Sequence, residues 1–151
     1  MRDFTISEVL EYSRNIEKES YAFYTTVSKE PGSDKLKILA VELANEELKH
    51  YNRLNTFLEK GTLTKADMDK MIQINQEDID HLIATKELPA NSTPLSILET
   101  AYNRELKTEN VYRTLLSFTN IAKDIVDTFS ELALQEKGHA SRLKTIMKYY
   151  Q

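Results

Sequence analysis

The sequence predicts an all-α fold: a four-helix bundle of two antiparallel helix hairpins, joined by a long crossover with a short extra helix. Three observations predict it. Glycine and proline number only three each in 151 residues, so long stretches run without a breaker. Apolar residues recur in steps of three and four along four of those stretches. Residues of like chemistry also recur in the two halves of the chain at an offset of 88 or 89 positions, which matches the first two helices to the last two.

The first helix starts at a capping box, Thr5 and Glu8, with Phe4 and Val9 placed as a hydrophobic staple. Its pattern runs to about Glu30, where Pro31, Gly32 and Ser33 interrupt it. Ser33 or Asp34 is expected to cap the second helix, which runs to Lys60 with Gly61 just beyond its end. Between Gly61 and Pro89, the residues Met68, Met71, Ile72, Ile79, Leu82 and Ile83 keep helical spacing, which predicts a short helix or two. A hairpin needs only a few linking residues, so a connection of this length predicts a crossover along the bundle. Thr93 fits the cap of the third helix and Pro94 its first position; that helix should reach about Ser117. Asn120 is expected to cap the fourth helix, which runs almost to the end of the chain.

The length predicts one domain over 1–151. A net charge of −4 and a pI near 5.5, with no clustered basic face, argue against nucleic acid as a partner. No apolar run approaches the roughly 20 residues of a membrane span. The N-terminal residues carry no apolar h-region, so no secretory signal is expected and a cytoplasmic location follows by default. Cysteine is absent, which excludes disulfides, thiolate zinc sites and iron–sulfur clusters from these residues.

The chemistry sits on the apolar seams. The second helix presents Leu36, Ala40, Leu43, Glu47, His50, Leu54 and Phe57 along one face, and the fourth presents Ile125, Phe129, Leu132, Glu136, His139, Leu143 and Ile146 in the same steps. In both, a Glu and a His interrupt the core stripe at the same place. The first helix reads Leu10, Ser13, Glu17, Ser20, Tyr24 and Val27; the third reads Leu98, Ala101 (or Tyr102), Glu105, Thr108, Tyr112 and Leu115. Each carries a Glu at mid-seam, a hydroxyl residue one turn later and a Tyr at the seventh position after the Glu. His81, in the connection, has no such arrangement of acids around it and is read as a surface or packing histidine.

Four buried carboxylates cannot all be ionised and unpaired. They must be protonated, paired or bound to metal, and no Lys or Arg lies on these seams. Two divalent cations would balance four Glu, and the i, i+3 spacing brings a Glu oxygen and an imidazole nitrogen to one ion. Glu17, Glu47, His50, Glu105, Glu136 and His139 are therefore the expected metal ligands. Mixed carboxylate and imidazole donors suit iron or manganese, and zinc is compatible. Tyr24 and Tyr112 read either as aromatic core filler or as hydroxyl donors to ligand carboxylates.

These residues resemble the ferritin-like superfamily and, within it, the rubrerythrin group. The resemblance rests on Glu17 to Tyr24, Glu46 to His50, Glu105 to Tyr112 and Gln135 to His139, which between them span the chain apart from the connection at 61–93. It implies a ferritin-like bundle with a centre of two iron ions that reacts with hydrogen peroxide or oxygen. Glu17 and Glu105 would each ligate one iron, Glu47 and Glu136 would bridge, and His50 and His139 would each ligate one metal. The resemblance further implies a peroxide-reducing oxidoreductase and a homodimer, in which a swap of helices is one arrangement. Familiar rubrerythrins carry a four-cysteine rubredoxin module. Without cysteine, the reductant here would be an external donor such as a rubredoxin-like protein. A further carboxylate common in that group, one turn after the third-helix ligand, is Thr108 here, and Glu109 faces away from the seam. Alternatives stay open: ferrous-iron oxidation and storage, a metal-stabilised structural or interaction module without turnover, and a substrate oxygenase.

Overall fold

The computed structural model describes residues 2–30, 32–75, 88, 92–118 and 120–151. In chain order the elements are β1 (Arg2–Thr5), α1 (Ile6–Lys29), α2 (Asp34–Glu59), α3 (Lys65–Asp69), β2 (Met71–Ile74), α4 (Pro94–Leu116) and α5 (Lys123–Met147). The long helices α1, α2, α4 and α5 form the predicted bundle, with α1 packed along α2 and α4 along α5.

The helix starts follow local chemistry. The Thr5 hydroxyl accepts from the Glu8 amide at 3.0 Å and the Glu8 carboxylate accepts from the Thr5 amide at 3.2 Å, a complete capping box. Ser33 caps α2 by accepting from the Leu36 amide, and Thr93 caps α4 by accepting from the Ser96 amide ahead of Pro94. Gly61 takes up a left-handed φ of 61° just past α2, a conformation that would strain a side chain with a Cβ.

Two apolar clusters sit at opposite ends of the bundle. One joins Leu10, Leu54, Tyr112, Phe129 and Leu132; the other joins Val27, Leu36, Leu43, Leu98 and Leu143. Leu54 and Phe57, near the end of α2, lie in the first cluster, and Ile97 and Leu98, at the start of α4, lie in the second. The two hairpins are thus joined from one end to the other, as a crossover requires. The predicted short helix is α3, capped by Thr64. Ile79, His81, Leu82, Ile83 and Pro89 fall outside the described residues.

Two local expectations are corrected. Met71 and Ile72 were expected on helical spacing, but they open β2, which pairs antiparallel with β1, Phe4 opposite Ile72 and Arg2 opposite Ile74. Residues 71–74 alternate, with Ile72 and Ile74 buried and Met71 and Gln73 exposed, and that period of two suits a strand as soon as another segment satisfies its amides. The partner lies some seventy residues earlier, beyond the reach of a local pattern. Phe4 and Val9 do share the cluster with Ile72 and Ile74. The second correction concerns Asn120. Ala122 occupies the cap position of α5 without a side-chain hydrogen bond. Asn120 instead turns the chain with a left-handed φ of 61°, which asparagine tolerates better than most residues. Its carbonyl accepts from Lys70 Nζ.

Among the described residues, no helix is long and apolar enough to cross a membrane.

Candidate metal centre

The six expected ligands meet between the two apolar clusters. Every seam residue named on α1, α2 and α4 is buried apart from the alternative Tyr102, and so is every one on α5 except Ile146, which is half-buried. Glu17, Glu47 and Glu136 have no exposed surface, Glu105 retains 2% and the two histidines 4%. They form two groups: Glu17, Glu47, His50 and Glu136, and Glu47, Glu105, Glu136 and His139. Within each group, one ligand atom per residue lies within 4.8 Å of all the others. Glu47 and Glu136 belong to both. The imidazole rings lie nearly parallel, at 12° with centroids 5.7 Å apart.

Both histidines turn Nδ1 inward. His50 Nδ1 lies 2.9 Å from Glu136 and 3.5 Å from Glu17 and Glu47; His139 Nδ1 lies 3.0 Å from Glu47 and 3.6 Å from Glu105 and Glu136. These approaches are close, yet none has hydrogen-bond geometry. Glu17 Oε2, Glu105 Oε2, both oxygens of Glu47 and of Glu136, and Nδ1 of each histidine are all buried without a hydrogen-bond partner. Buried polar atoms are almost always satisfied, so eight orphans aimed at one region fit a shared positive ion and do not fit a polar core. Their chemistry, six carboxylate oxygens and two imidazole nitrogens, suits divalent iron, manganese or zinc.

The two remaining carboxylate oxygens are held by phenols. Tyr24 on α1 donates to Glu105 Oε1 on α4 at 2.5 Å, and Tyr112 on α4 donates to Glu17 Oε1 on α1 at 2.5 Å. Each bond crosses between the hairpins and leaves the other oxygen of its Glu facing the centre. Tyr112→Phe should cost about 1–3 kcal/mol, since it leaves a buried carboxyl oxygen of Glu17 without its hydrogen bond. Urea denaturation measures this; an unchanged midpoint would show that the hydroxyl does not hold Glu17.

The protonation states reflect the crowding of acids. Burial, then the charges of neighbouring carboxylates, pushes Glu47 and Glu136 well above the usual carboxylate range. Burial pushes Glu105 the same way, but the proximity of Glu136 and His139, with the hydrogen bond from Tyr24, outweighs it and holds this acid below its ordinary value. Burial pulls both imidazoles down, and the acids overcome it: Glu17 and Glu47 raise His50, and Glu105, Glu136 and Glu47 raise His139. Burial and the nearby carboxylates push both phenols well above their ordinary value, so Tyr24 and Tyr112 stay protonated donors.

Several neighbours were not anticipated from sequence. His50 Nε2 hydrogen-bonds Gln135 Oε1, and His139 Nε2 lies 3.1 Å from Glu46. Arg142 pairs with Glu46 and Glu42, and Arg53 pairs with Glu131. A signal for them existed: Glu42 and Glu131, Glu46 and Gln135, and Arg53 and Arg142 are each separated by the same 89 positions as the two histidines. Arg104, next to Glu105, is a partly buried cation off the seam, with its guanidinium over the Phe23 ring at 4.7 Å. Burial lowers its pKa. The departure at Thr108 is visible in the structure. Its hydroxyl turns back to the Arg104 carbonyl at 2.9 Å, and Glu109 pairs with Arg113 at 3.3 Å, so neither adds a donor to the two groups.

No curated protein matches the chain. A model of the rubrerythrin family matches residues 8–147, which takes in all six residues of the centre and both phenols. With four bundle helices around a buried Glu and His cluster, the chain belongs to the rubrerythrin family, a ferritin-like family of di-iron proteins.

Proposed function

We propose that the six residues hold two iron ions and that the protein reduces hydrogen peroxide with electrons from a separate donor. The observation that carries the metal reading is the set of eight buried, unpartnered donor atoms, divided into two groups that share Glu47 and Glu136. Peroxide as the substrate is supported by membership of the rubrerythrin family.

In this reading Glu17 and His50 would hold one ion and Glu105 and His139 the other, with Glu47 and Glu136 available to both. Two iron ions held by these residues would supply the two electrons that, with two protons, convert hydrogen peroxide to two waters. The chain's own part is to fix and protect the centre. The Tyr24 and Tyr112 hydroxyls keep the two terminal carboxylates oriented and hold their own protons throughout. The apolar clusters above and below exclude bulk water, which strengthens every electrostatic contact between them. Without cysteine in these residues, electrons return from outside, from a rubredoxin-like protein or a small reductant. A cytoplasmic homodimer completes the reading.

The test is anaerobic loading with Fe(II), elemental analysis, and one addition of hydrogen peroxide followed by visible absorption. About two irons per chain are expected, with ferric absorbance appearing faster with peroxide than with an equal amount of oxygen. Two irons that respond faster to oxygen would move the function to oxygen chemistry or iron oxidation. Two irons that respond to neither would leave a structural role.

A further inference from the structure

The outer sides of the two histidines differ in one group. His139 Nε2 faces the Glu46 carboxylate at 3.1 Å, whereas His50 Nε2 hydrogen-bonds the Gln135 amide oxygen. The amide orientation is set by its other end, where Gln135 Nε2 donates to Glu131 at 3.2 Å. The arginine and the second acid behind each ring correspond position for position. Arg142 holds Glu46 at 3.0 Å and also pairs with Glu42; Arg53 holds Glu131, the counterpart of Glu42, at 2.5 Å. One half therefore has two acids on one arginine, and the other has one acid and a neutral amide. The network outside His139 is more negative than that outside His50 by one charge.

We propose that this one Glu-to-Gln difference makes the two metal positions unequal, the Glu105–His139 position binding a divalent cation more tightly than the Glu17–His50 position. The inference rests on the two-metal reading above. A carboxylate facing the outer N–H of a ligating imidazole draws on that proton, raises the electron density at the inner nitrogen and offsets the charge of the ion. A neutral amide orients the ring and does little else. Glu46 is partly exposed, and Arg142 partly offsets its charge. Both weaken the effect without removing it, because Arg142 is shared with Glu42. The expected difference is about tenfold, the lower end of what outer partners of a metal ligand contribute. At limiting metal, the Glu105–His139 position fills first.

The two ions share Glu47 and Glu136, so the first repels the second whichever position it takes. Two unequal constants alone would not identify the cause; the response to substitution does. The experiment is anaerobic titration of the full chain with Co(II) at fixed pH and salt, read by calorimetry and by the visible cobalt spectrum. The proteins are wild type, Gln135→Glu and Glu46→Gln, near-isosteric changes at the edge of the bundle. Arg53 already stands where Arg142 stands in the other half, ready to pair with a carboxylate at 135. Gln135→Glu is expected to tighten the weaker constant about tenfold and leave the stronger within twofold. Glu46→Gln is expected to weaken the stronger constant by about the same factor. In a Glu17→Ala background, which leaves one position, Glu46→Gln should weaken binding and Gln135→Glu should have no effect. If neither substitution moves a constant, or each moves both alike, the proposal is overturned. Fewer than two Co(II) per wild-type chain would instead overturn the two-metal reading beneath it.

Discussion

Glu47→Ala is expected to remove both metal ions, whereas Glu17→Ala removes one. The contrast follows from membership: Glu47 stands in both groups of donors, and Glu17 in one. Both Glu47 oxygens are buried and lack hydrogen-bond partners, so no alternative role for the carboxylate is visible. Loss of an outer partner of a metal ligand already weakens binding by about 10–100-fold, so loss of a bridging ligand should exceed about a hundredfold at both positions. Elemental analysis after loading and gel filtration gives the ratio directly: two ions per chain for wild type, one for Glu17→Ala and none for Glu47→Ala. Glu47→Gln guards against a packing artefact, because it keeps the volume and removes the charge. The metal-free variants should stay helical, since each relieves repulsion among buried acids as it opens space. If Glu47→Ala and Glu47→Gln both retain two ions, Glu47 is not a bridge and the arrangement of the centre is different.

The second large effect is on stability, and it depends on pH. In the metal-free fold Glu47 and Glu136 keep their protons well above the ordinary carboxyl value of 4.5, and His50 and His139 keep theirs above the ordinary imidazole value of 6.5. All four bind more protons folded than unfolded. Their contribution is fully present below the unfolded values and is lost as pH rises through the folded ones. Glu105, held low, works in the opposite sense, but only as pH falls below 4.5. Metal-free protein should therefore be less stable at pH 8 than at pH 6. Metal reverses the balance, because ligands bind it deprotonated. At a thousandfold excess of free ion over the dissociation constant, each site adds about 4 kcal/mol. For a chain of this size, each kcal/mol raises Tm by about 2–4 °C. The difference in Tm between chelator and excess Co(II) should be tens of degrees and larger at pH 8. An equal Tm with and without metal would rule out the centre. A metal-free protein that gains stability from pH 6 to pH 8 would show that the protons are held elsewhere.

Much of this arrangement is readable along the chain, and the reason is geometric. A helix returns to the same face every three or four residues, so a stripe such as Leu43, Glu47, His50 and Leu54 states its own burial. Four such stripes with acids at matching heights suffice to predict a bundle with charged groups inside, and an internal offset of 89 residues aligns the halves. Thr5, Ser33 and Thr93 could be read as caps because a cap bonds an amide only three residues away. Contacts between distant segments are of another kind. Whether Met71 to Ile74 lies in a helix or a strand depends on whether Arg2 to Thr5 is there to pair with it. Asn120 lost its expected cap because the turn needed a residue that tolerates a positive φ.

The sequence by itself determined which residues are buried and which of them are chemically out of place in a core, because burial follows helical period and the cost of burying charge is general. Only the tertiary structure decided how those residues divide the labour. It put Tyr24 on Glu105 and Tyr112 on Glu17, turned Nδ1 of each histidine inward, and set Glu46 behind one ring and Gln135 behind the other. Each of these joins side chains on different helices, and the distance between two helices is fixed by packing in three dimensions, which no spacing along one helix encodes.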